Sequence, residues 1–582
     1  MQRGIFVSSI IQDGMCIEWD VSIKMSDGAE LKADVFRPVH KGKYPVILTH
    51  GPYGKGLAFQ DGYPSAWQRM VDEHPDVPAG STNQYQNWEV VDPEKWVPDG
   101  YVCVRVDSRG CGASPGYIDH FSPRETADFA ECIEWAGVQP WSNGRVGLNG
   151  VSYYGINAWL VASLQPAHLS AMCVWEGATD WYRDMTHHGG ILNTFWDNWY
   201  DMQVKNVQHG LADRGPVSRV TGKPVCGLSP LSDEELANNR CDFGAEIRSN
   251  PLDNEYHRQR SAVWSNIKTP LLTAANWGGQ GLHTRGNFEG FMRAASGEKW
   301  LEAHGLEHWT EFYTDYGVAL QKRFFGYFLK GEDNDWLDQP RVQLQIRHVD
   351  GFEQRAEEDW PIPSTQWTKF FLDAKTLSLS DKPPKASSNV AFDSSGDGVT
   401  FMSEPLSTDT EVTGPSALKI VVSSSTSDAD IFAVLRVFSA DGTEVVFQGA
   451  IDPNTPIGQG WLRASHRKLD PELSTLWRPY HSHDEHQPLA PQQKAALDIE
   501  IWPTSLVVPA GFRIGISVRG KDYENALAKG NRLSNFKNEL RGCGPFLHDD
   551  PIDRPEHIFS GTTTIHTHST EPSYLLLPLI PK

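Results

Sequence analysis

The rhythm of apolar and polar positions changes once along the chain, near Pro340. Before that point, short continuous apolar runs alternate with segments of helical spacing. KYPVILTH (43–50), YVCVRVDSRG (101–110), NGRVGLNGV (143–151), LSAMCVWEG (169–177) and TPLLTAANWG (269–278) read as buried strands. TADFAECIEWAGVQ (126–139) places its apolar residues at helical spacing, and CIEWDVSIKM and AELKADVFRPV alternate with the period of edge strands. Buried strands separated by helices predict a parallel sheet covered on both faces. After Pro340 only strand-like runs remain, among them VQLQIRHV, TKFFLDA, ALKIVVSSS, DIFAVLRVFS, LDIEIWPTSLVV and FRIGISVRG. Gly, Pro, Asp and Ser punctuate them, as in an all-β sandwich or jelly roll. The interval 181–264 is too long for a plain crossover helix and predicts an inserted helical cap. A second excursion, 59–96, also leaves the sheet. The expected division is an α/β catalytic domain of residues 1–180 and 265–340, a cap of 181–264 and a C-terminal jelly roll of 345–582.

A length of 582 residues fits more than one core. The formal charge of −22 argues against nucleic acid or an anionic membrane surface as a partner. The eight cysteines include no C-x-x-C pair and read as reduced, buried thiols. The opening MQRGIFVSSIIQDGMCIEWD meets Asp13 too early for a signal peptide, and no 18-residue apolar run predicts a membrane span. A cytoplasmic protein, compatible with a homodimer, is the expectation. HSHDEHQ (481–487) and HTHS (566–569) look like metal tracts but lie far along the chain from the candidate chemistry. NWGGQG (276–281) lacks the Lys-Ser/Thr ending of a phosphate loop. No metal and no cofactor are expected.

The candidate chemistry centres on Gly150-Val151-Ser152-Tyr153-Tyr154-Gly155. The order is buried strand, small-residue turn, helix, which is what exposes a serine hydroxyl on a strand-to-helix elbow. The pattern is G-x-S-x-x-G rather than G-x-S-x-G, so Ser152 reads either as a nucleophile or as a turn serine. A nucleophilic serine needs an imidazole oriented by an acid. The stretch EKWLEAHGLEHWTEFY (298–313) offers His304 and His308, and His308 is preferred because it lies further beyond the strand. An oxyanion hole needs two donors, for which the Tyr153 N–H and the Tyr53 phenol of THGPYGKG are candidates. Tyr53 reads equally well as a turn tyrosine.

The set HGPYGKG, VDSRGCGASPG, QPWSNGRVGLNGVSYYG, LEHWTEFY, RFFGYFLKG, SSSTSDADIFAVLRVFSADG and GWLRASHRKLD, in this order over almost the whole chain, resembles the cocaine-esterase and X-Pro dipeptidyl-peptidase hydrolases, the CocE/NonD group of peptidase family S15. The resemblance implies an α/β-hydrolase core with a jelly roll, and a serine hydrolase acting on an ester or amide of a small acyl substrate through an acyl-enzyme. It implies Ser152 as nucleophile, His308 as base, and Tyr53 and the Tyr153 N–H as oxyanion donors. An acyltransferase or cyclase on the same machinery, an Xaa-Pro-type peptidase and a non-catalytic binding protein are the alternatives. One departure matters. The family's acid follows the next core strand in a G-W-Y-D stretch, where this chain has AANWGGQGLH and a glycine, Gly279 or Gly278, at the acid's place. Glu176, at the end of LSAMCVW, is the expected replacement. Asp180 is the alternative, followed by Glu289, Glu307 or a dyad without an acid.

Overall fold

The computed structural model describes residues 9–526 and 540–581; the first eight residues of the N-terminal apolar stretch lie outside them. Eleven strands form the first sheet: β1 (Ile10–Gln12), β2 (Met15–Lys24), β3 (Glu30–Pro38), β4 (Tyr44–Gly51), β5 (Val102–Asp107), β6 (Ser142–Val151), β7 (Leu169–Trp175), β10 (Leu271–Asn276), β11 (Lys299–His304), β12 (Val342–His348) and β13 (Gly351–Glu357). A two-stranded hairpin, β8 (His187–His188) and β9 (Ile191–Leu192), interrupts the count. The spatial order is β1-β2-β3-β5-β4-β6-β7-β10-β11-β12-β13. The centre, from β5 to β12, is parallel, and both edges are antiparallel. The continuous apolar runs are the central strands: every residue of β5 and of β10 is buried, as two covered faces require.

The helix Pro123–Gly137 starts on the Ser122 hydroxyl, which accepts the Glu125 N–H, and buries Phe129, Cys132, Ile133 and Ala136 on the sheet. All eight cysteines are buried free thiols. No helix among the described residues is long and apolar enough to cross a membrane.

The switch near Pro340 lies two strands earlier in sequence than the switch of sheet. VQLQIRHV, read above as part of the β-sandwich, is β12: Leu301 pairs in parallel with Val342, and β13 returns beside it. Local alternation specifies a strand, not its partner, and β12 buries Val342, Leu344 and Ile346 against Ala303 and Leu301. The second, all-β sheet of twelve strands runs from Gln366–Asp373 to Tyr574–Ile580. Its core includes Leu418, Ile420, Val422, Ile431, Leu435, Leu497, Ile499 and Ile501. Between β7 and β10 the inserted segment carries the β8–β9 hairpin and short helices such as Phe195–Trp199, Asp233–Asn238 and Phe243–Arg248.

The two halves meet behind the candidate chemistry. Ala450 N–H donates to the Gly278 carbonyl (2.9 Å), and His308 N–H donates to the Ala450 carbonyl (2.9 Å). A Cβ on Gly278 would lie 2.5 Å from the Gly449 Cα, so only glycine lets these backbones approach.

Candidate active site

β6 ends at Val151, and Ser152 turns the chain with φ +57° and ψ −114° before the helix Tyr153–Ala162. A non-glycine residue held there is strained and needs its surroundings to hold it. Those surroundings are visible: Ser152 N–H donates to the Trp175 carbonyl (3.0 Å), and the Ser152 carbonyl accepts from Ile156 N–H (2.7 Å). The flanking glycines have separate reasons. A Cβ on Gly150 would lie 2.4 Å from that of Tyr154, and one on Gly155 would lie 2.9 Å from the Trp175 carbonyl oxygen. The second glycine stands at +3 because that is where the helix touches β7.

Trp175, which accepts from the serine's N–H, ends β7, and Glu176 follows with φ +42°. Its carboxylate is almost completely buried and fully engaged. Oε2 lies 2.8 Å from His308 Nδ1, and Oε1 lies 3.2 Å from both His304 Nε2 and Asn276 Nδ2. Burial alone would raise the Glu176 pKa; the His308 charge and hydrogen bonds from His304 and His308 overcome it and hold the group at about 2. His304 is fully buried between Glu176 and Glu302 (2.6 Å). The other carboxylates considered are occupied elsewhere. Asp180 caps Tyr182 and Arg183 and pairs with the Arg183 guanidinium (2.9 Å). Glu289 pairs with Arg478 (2.8 Å), and Glu307 with Arg69 (2.6 Å). A Cβ at Gly279 would lie tightly against Thr284, 3.1 Å from its Oγ1 and 3.2 Å from its N, and the Gly279 carbonyl accepts from Leu282, His283 and Thr284.

His308 does not hydrogen-bond Ser152. Its Nε2 lies 2.9 Å from Glu89 Oε1, so with Glu176 on Nδ1 both ring nitrogens are taken. Burial would lower its pKa; Glu176 first, then Glu89, raise it to about 10. The imidazole on the serine is His283, whose Nε2 lies 3.3 Å from Ser152 Oγ. Its ring stacks on that of His308 at 4.8 Å between centroids and 7° between planes. Burial, then the His308 charge, push the His283 pKa down to about 3 against the Glu176 charge and a hydrogen bond to the Gly177 backbone. Neither His283 nor Glu89 was singled out from sequence. His283 closes the AANWGGQGLH stretch, so the missing acid already marked its neighbourhood; Glu89, in QNWEVVDP, carries no such sign.

Tyr53 and Ser152 line one pocket with Trp88, Phe121, Phe195 and Trp196. The Tyr53 hydroxyl accepts from Trp199 Nε1 (3.1 Å), which leaves its own proton for another acceptor. Burial, then the Glu89 charge, keep that phenol protonated. Tyr153 is the first helical residue, so its N–H has no intrahelical acceptor. Its side chain points elsewhere, donating to Glu125 (2.7 Å). The free volume at the serine is about 30 Å³, room for little more than water.

Residues 27–310 match the family described as X-Pro dipeptidyl-peptidase (S15 family), and residues 334–576 match the X-Pro dipeptidyl-peptidase C-terminal non-catalytic domain. Among curated proteins, the chain is 24% identical to the cocaine esterase of Rhodococcus sp. (strain MB1 Bresler), over 96% of this chain and 98% of that protein. It is 20% identical to a putative Xaa-Pro dipeptidyl-peptidase of Bacillus anthracis, over 83% and 78%. Among solved structures, a CocE/NonD family hydrolase from Staphylococcus aureus superposes with a TM-score of 0.82 at 33% identity, over 97% of this chain and 94% of that one. The chain therefore belongs to the CocE/NonD family and is a serine hydrolase of the kind that cleaves ester or amide bonds.

Proposed function

We propose that this hydrolase works through a Ser152 acyl-enzyme, with His308 as the base, Glu176 as the acid that orients it, and Tyr53 and the Tyr153 N–H as oxyanion donors. The observation that carries this reading is the 2.8 Å contact from Glu176 to His308 Nδ1 beside a serine held at positive φ. A carboxylate on Nδ1 fixes the tautomer whose Nε2 can take the serine proton. Ser152 Oγ attacks the substrate carbonyl carbon as its proton passes to His308 Nε2. The oxyanion that forms is met by the two donors. When the tetrahedral intermediate collapses, the bond to the leaving oxygen or nitrogen breaks and that atom takes the proton from Nε2. Water then repeats the sequence on the acyl-enzyme. The apolar aromatic walls favour an uncharged, apolar ester over a charged amide, with the 181–264 insertion supplying Phe195, Trp196 and Trp199.

Labelling by a fluorophosphonate, followed by mass spectrometry of the peptide carrying Ser152, tests the nucleophile. A modified Ser152 is expected, and an inert one in folded protein refutes it. A screen of acyl esters, amides and Xaa-Pro amides against wild type and Ser152→Ala then sorts the substrate class.

The 3.3 Å contact between Ser152 and His283 favours a second reading, with His283 as the base. The two give opposite pH profiles. A base held at about 10 makes kcat/KM rise across the neutral and alkaline range, whereas one held at about 3 gives a plateau already reached below neutrality. A carboxylate on Nδ1, present at His308 and not at His283, which has only the Gly177 backbone, supports His308 as the base.

Tyr53→Phe should lower kcat roughly 10- to 1000-fold with little change in KM, the loss of one oxyanion donor. An unchanged kcat in steady-state ester assays would leave Tyr53 as only a packing partner of Trp199.

A further inference from the structure

We propose that Glu89 is a positioning residue for the reaction: its carboxylate occupies His308 Nε2 in the resting enzyme and must leave that nitrogen before Ser152 can use it. The proposal rests on the reading of His308 as the base. An imidazole has two nitrogens, and here Glu176 holds one at 2.8 Å and Glu89 the other at 2.9 Å. The serine is left with His283, at the longer distance of 3.3 Å.

The backbone aims Glu89 at the site. The residue has φ +64°, and Ser152, Glu176 and Phe121 of the same site are likewise non-glycine residues held at positive φ. Its carbonyl accepts from Val151 N–H (3.0 Å), and Val90 bridges to Gly150, so the excursion 59–96 is clamped onto the last turn of the nucleophile's strand. The side chain is 2% exposed, and its carboxylate is held by His308 and by the Trp88 side chain. A carboxylate buried this deeply is costly unless it is paired. Glu89 lines the same pocket as Ser152, His283 and His308, so a substrate carbonyl brought to Ser152 comes beside the Glu89–His308 pair.

The charged and titratable groups around this pair come from several elements. Glu176 follows β7, His304 and Glu302 lie on β11, and His283 stacks from the turn after β10. Tyr53, Tyr63 and Tyr154 are buried close to Glu89, and its charge helps keep each phenol protonated. Burial lifts the Glu89 pKa to about 6 against the pull of His308, so near neutrality its charge holds the proton on His308.

The test is the pH dependence of kcat/KM for a neutral chromogenic ester such as p-nitrophenyl butyrate, in wild type and Glu89→Gln. The amide keeps the size and removes the charge. The rising limb is expected to move to lower pH by at least about one unit, as the His308 cation loses one of two anionic partners, raising kcat/KM near pH 7 about tenfold. Histidine NMR titration in the Ser152→Ala background, with His308 assigned through His308→Asn, reads the same shift without turnover. A limb and a titration that stay in place in Glu89→Gln, while Glu176→Gln still loses activity, overturn the role of Glu89 and leave the base assignment standing. A wild-type profile without a rising limb, together with full activity in His308→Asn, removes the base assignment and the proposal with it. Should Glu89→Gln fail to fold, Glu89→Asp is read by the same two measurements, since its shorter arm withdraws the carboxylate from Nε2.

Discussion

Glu176→Gln is expected to lower kcat by about 10³- to 10⁴-fold while leaving the fold intact, the loss seen when a triad carboxylate becomes an amide. The amide has the same shape and can still sit near His308 Nδ1. It has no charge, however, to stabilise the imidazolium that the proposed mechanism forms as Ser152 gives up its proton, and it can present its NH₂ in place of an acceptor. Glu176 also faces His304 Nε2 and Asn276 Nδ2, so the neutral residue unsettles two histidines at once. Because Glu302 still pairs with His304, the local structure keeps a counter-charge and the variant should fold. Steady-state kinetics on a chromogenic ester, with far-UV circular dichroism as the folding control, measure the effect. A kcat within about fivefold of wild type would move the acid's role away from Glu176. Asp180→Asn makes the contrast: its carboxylate is bound to Arg183 and touches neither imidazole, so any effect should appear in thermal stability rather than in the shape of the pH profile.

The elbow was legible because its chemistry is local. The glycines at 150 and 155 answer to contacts with Tyr154 and Trp175 that any strand-to-helix turn of this tightness must make. The position of Glu176 was legible through topology: a residue ending the strand beside the one that leads into Ser152 is carried to the same edge of the sheet, and the hydrogen bond from Ser152 N–H to the Trp175 carbonyl fixes that neighbourhood. The absence of an acid at Gly279 pointed the same way, and in the structure a Cβ there would press on Thr284. Glu89 and His283 were not legible. One arrives on an irregular excursion and the other on a turn, where no periodicity says which way a side chain points. The placement of Val342–His348 failed for a related reason. Its alternation fixes two faces but not which sheet it joins, and that choice is made by Leu301 and Ala303 on the neighbouring strand.

Replacing Arg285 by Met should destabilise the protein by about 3–5 kcal/mol, the usual cost of leaving buried carboxylates without their partner. Arg285 stands in the first turn of the helix Thr284–Arg293, two residues after His283. Its Nη1 lies 2.7 Å from Asp184 Oδ1 in the inserted segment, and its Nε lies 3.0 Å from each oxygen of Glu500 on the strand Ala495–Val508 of the second sheet. The Arg285 and Asp184 side chains are 3% and 0% exposed, so water cannot replace the guanidinium. Burial already raises the pKa of both carboxylates against the pull of Arg285; without it they must either take up protons or draw water into the junction of three parts of the chain. Urea titration followed by tryptophan fluorescence should show an earlier first transition in Arg285→Met. The double variant Asp184→Asn/Arg285→Met should recover part of the loss, because it removes one of the two stranded charges. A double variant no more stable than the single one would mean that the loss comes from packing rather than from unpaired charge, since Arg285 also lies against the Tyr480 ring. The same junction holds the turn that carries His283, so a loosened Arg285→Met enzyme should also lose the fixed stacking of His283 on His308, and its pH profile should then differ from that of wild type even under conditions where it remains folded.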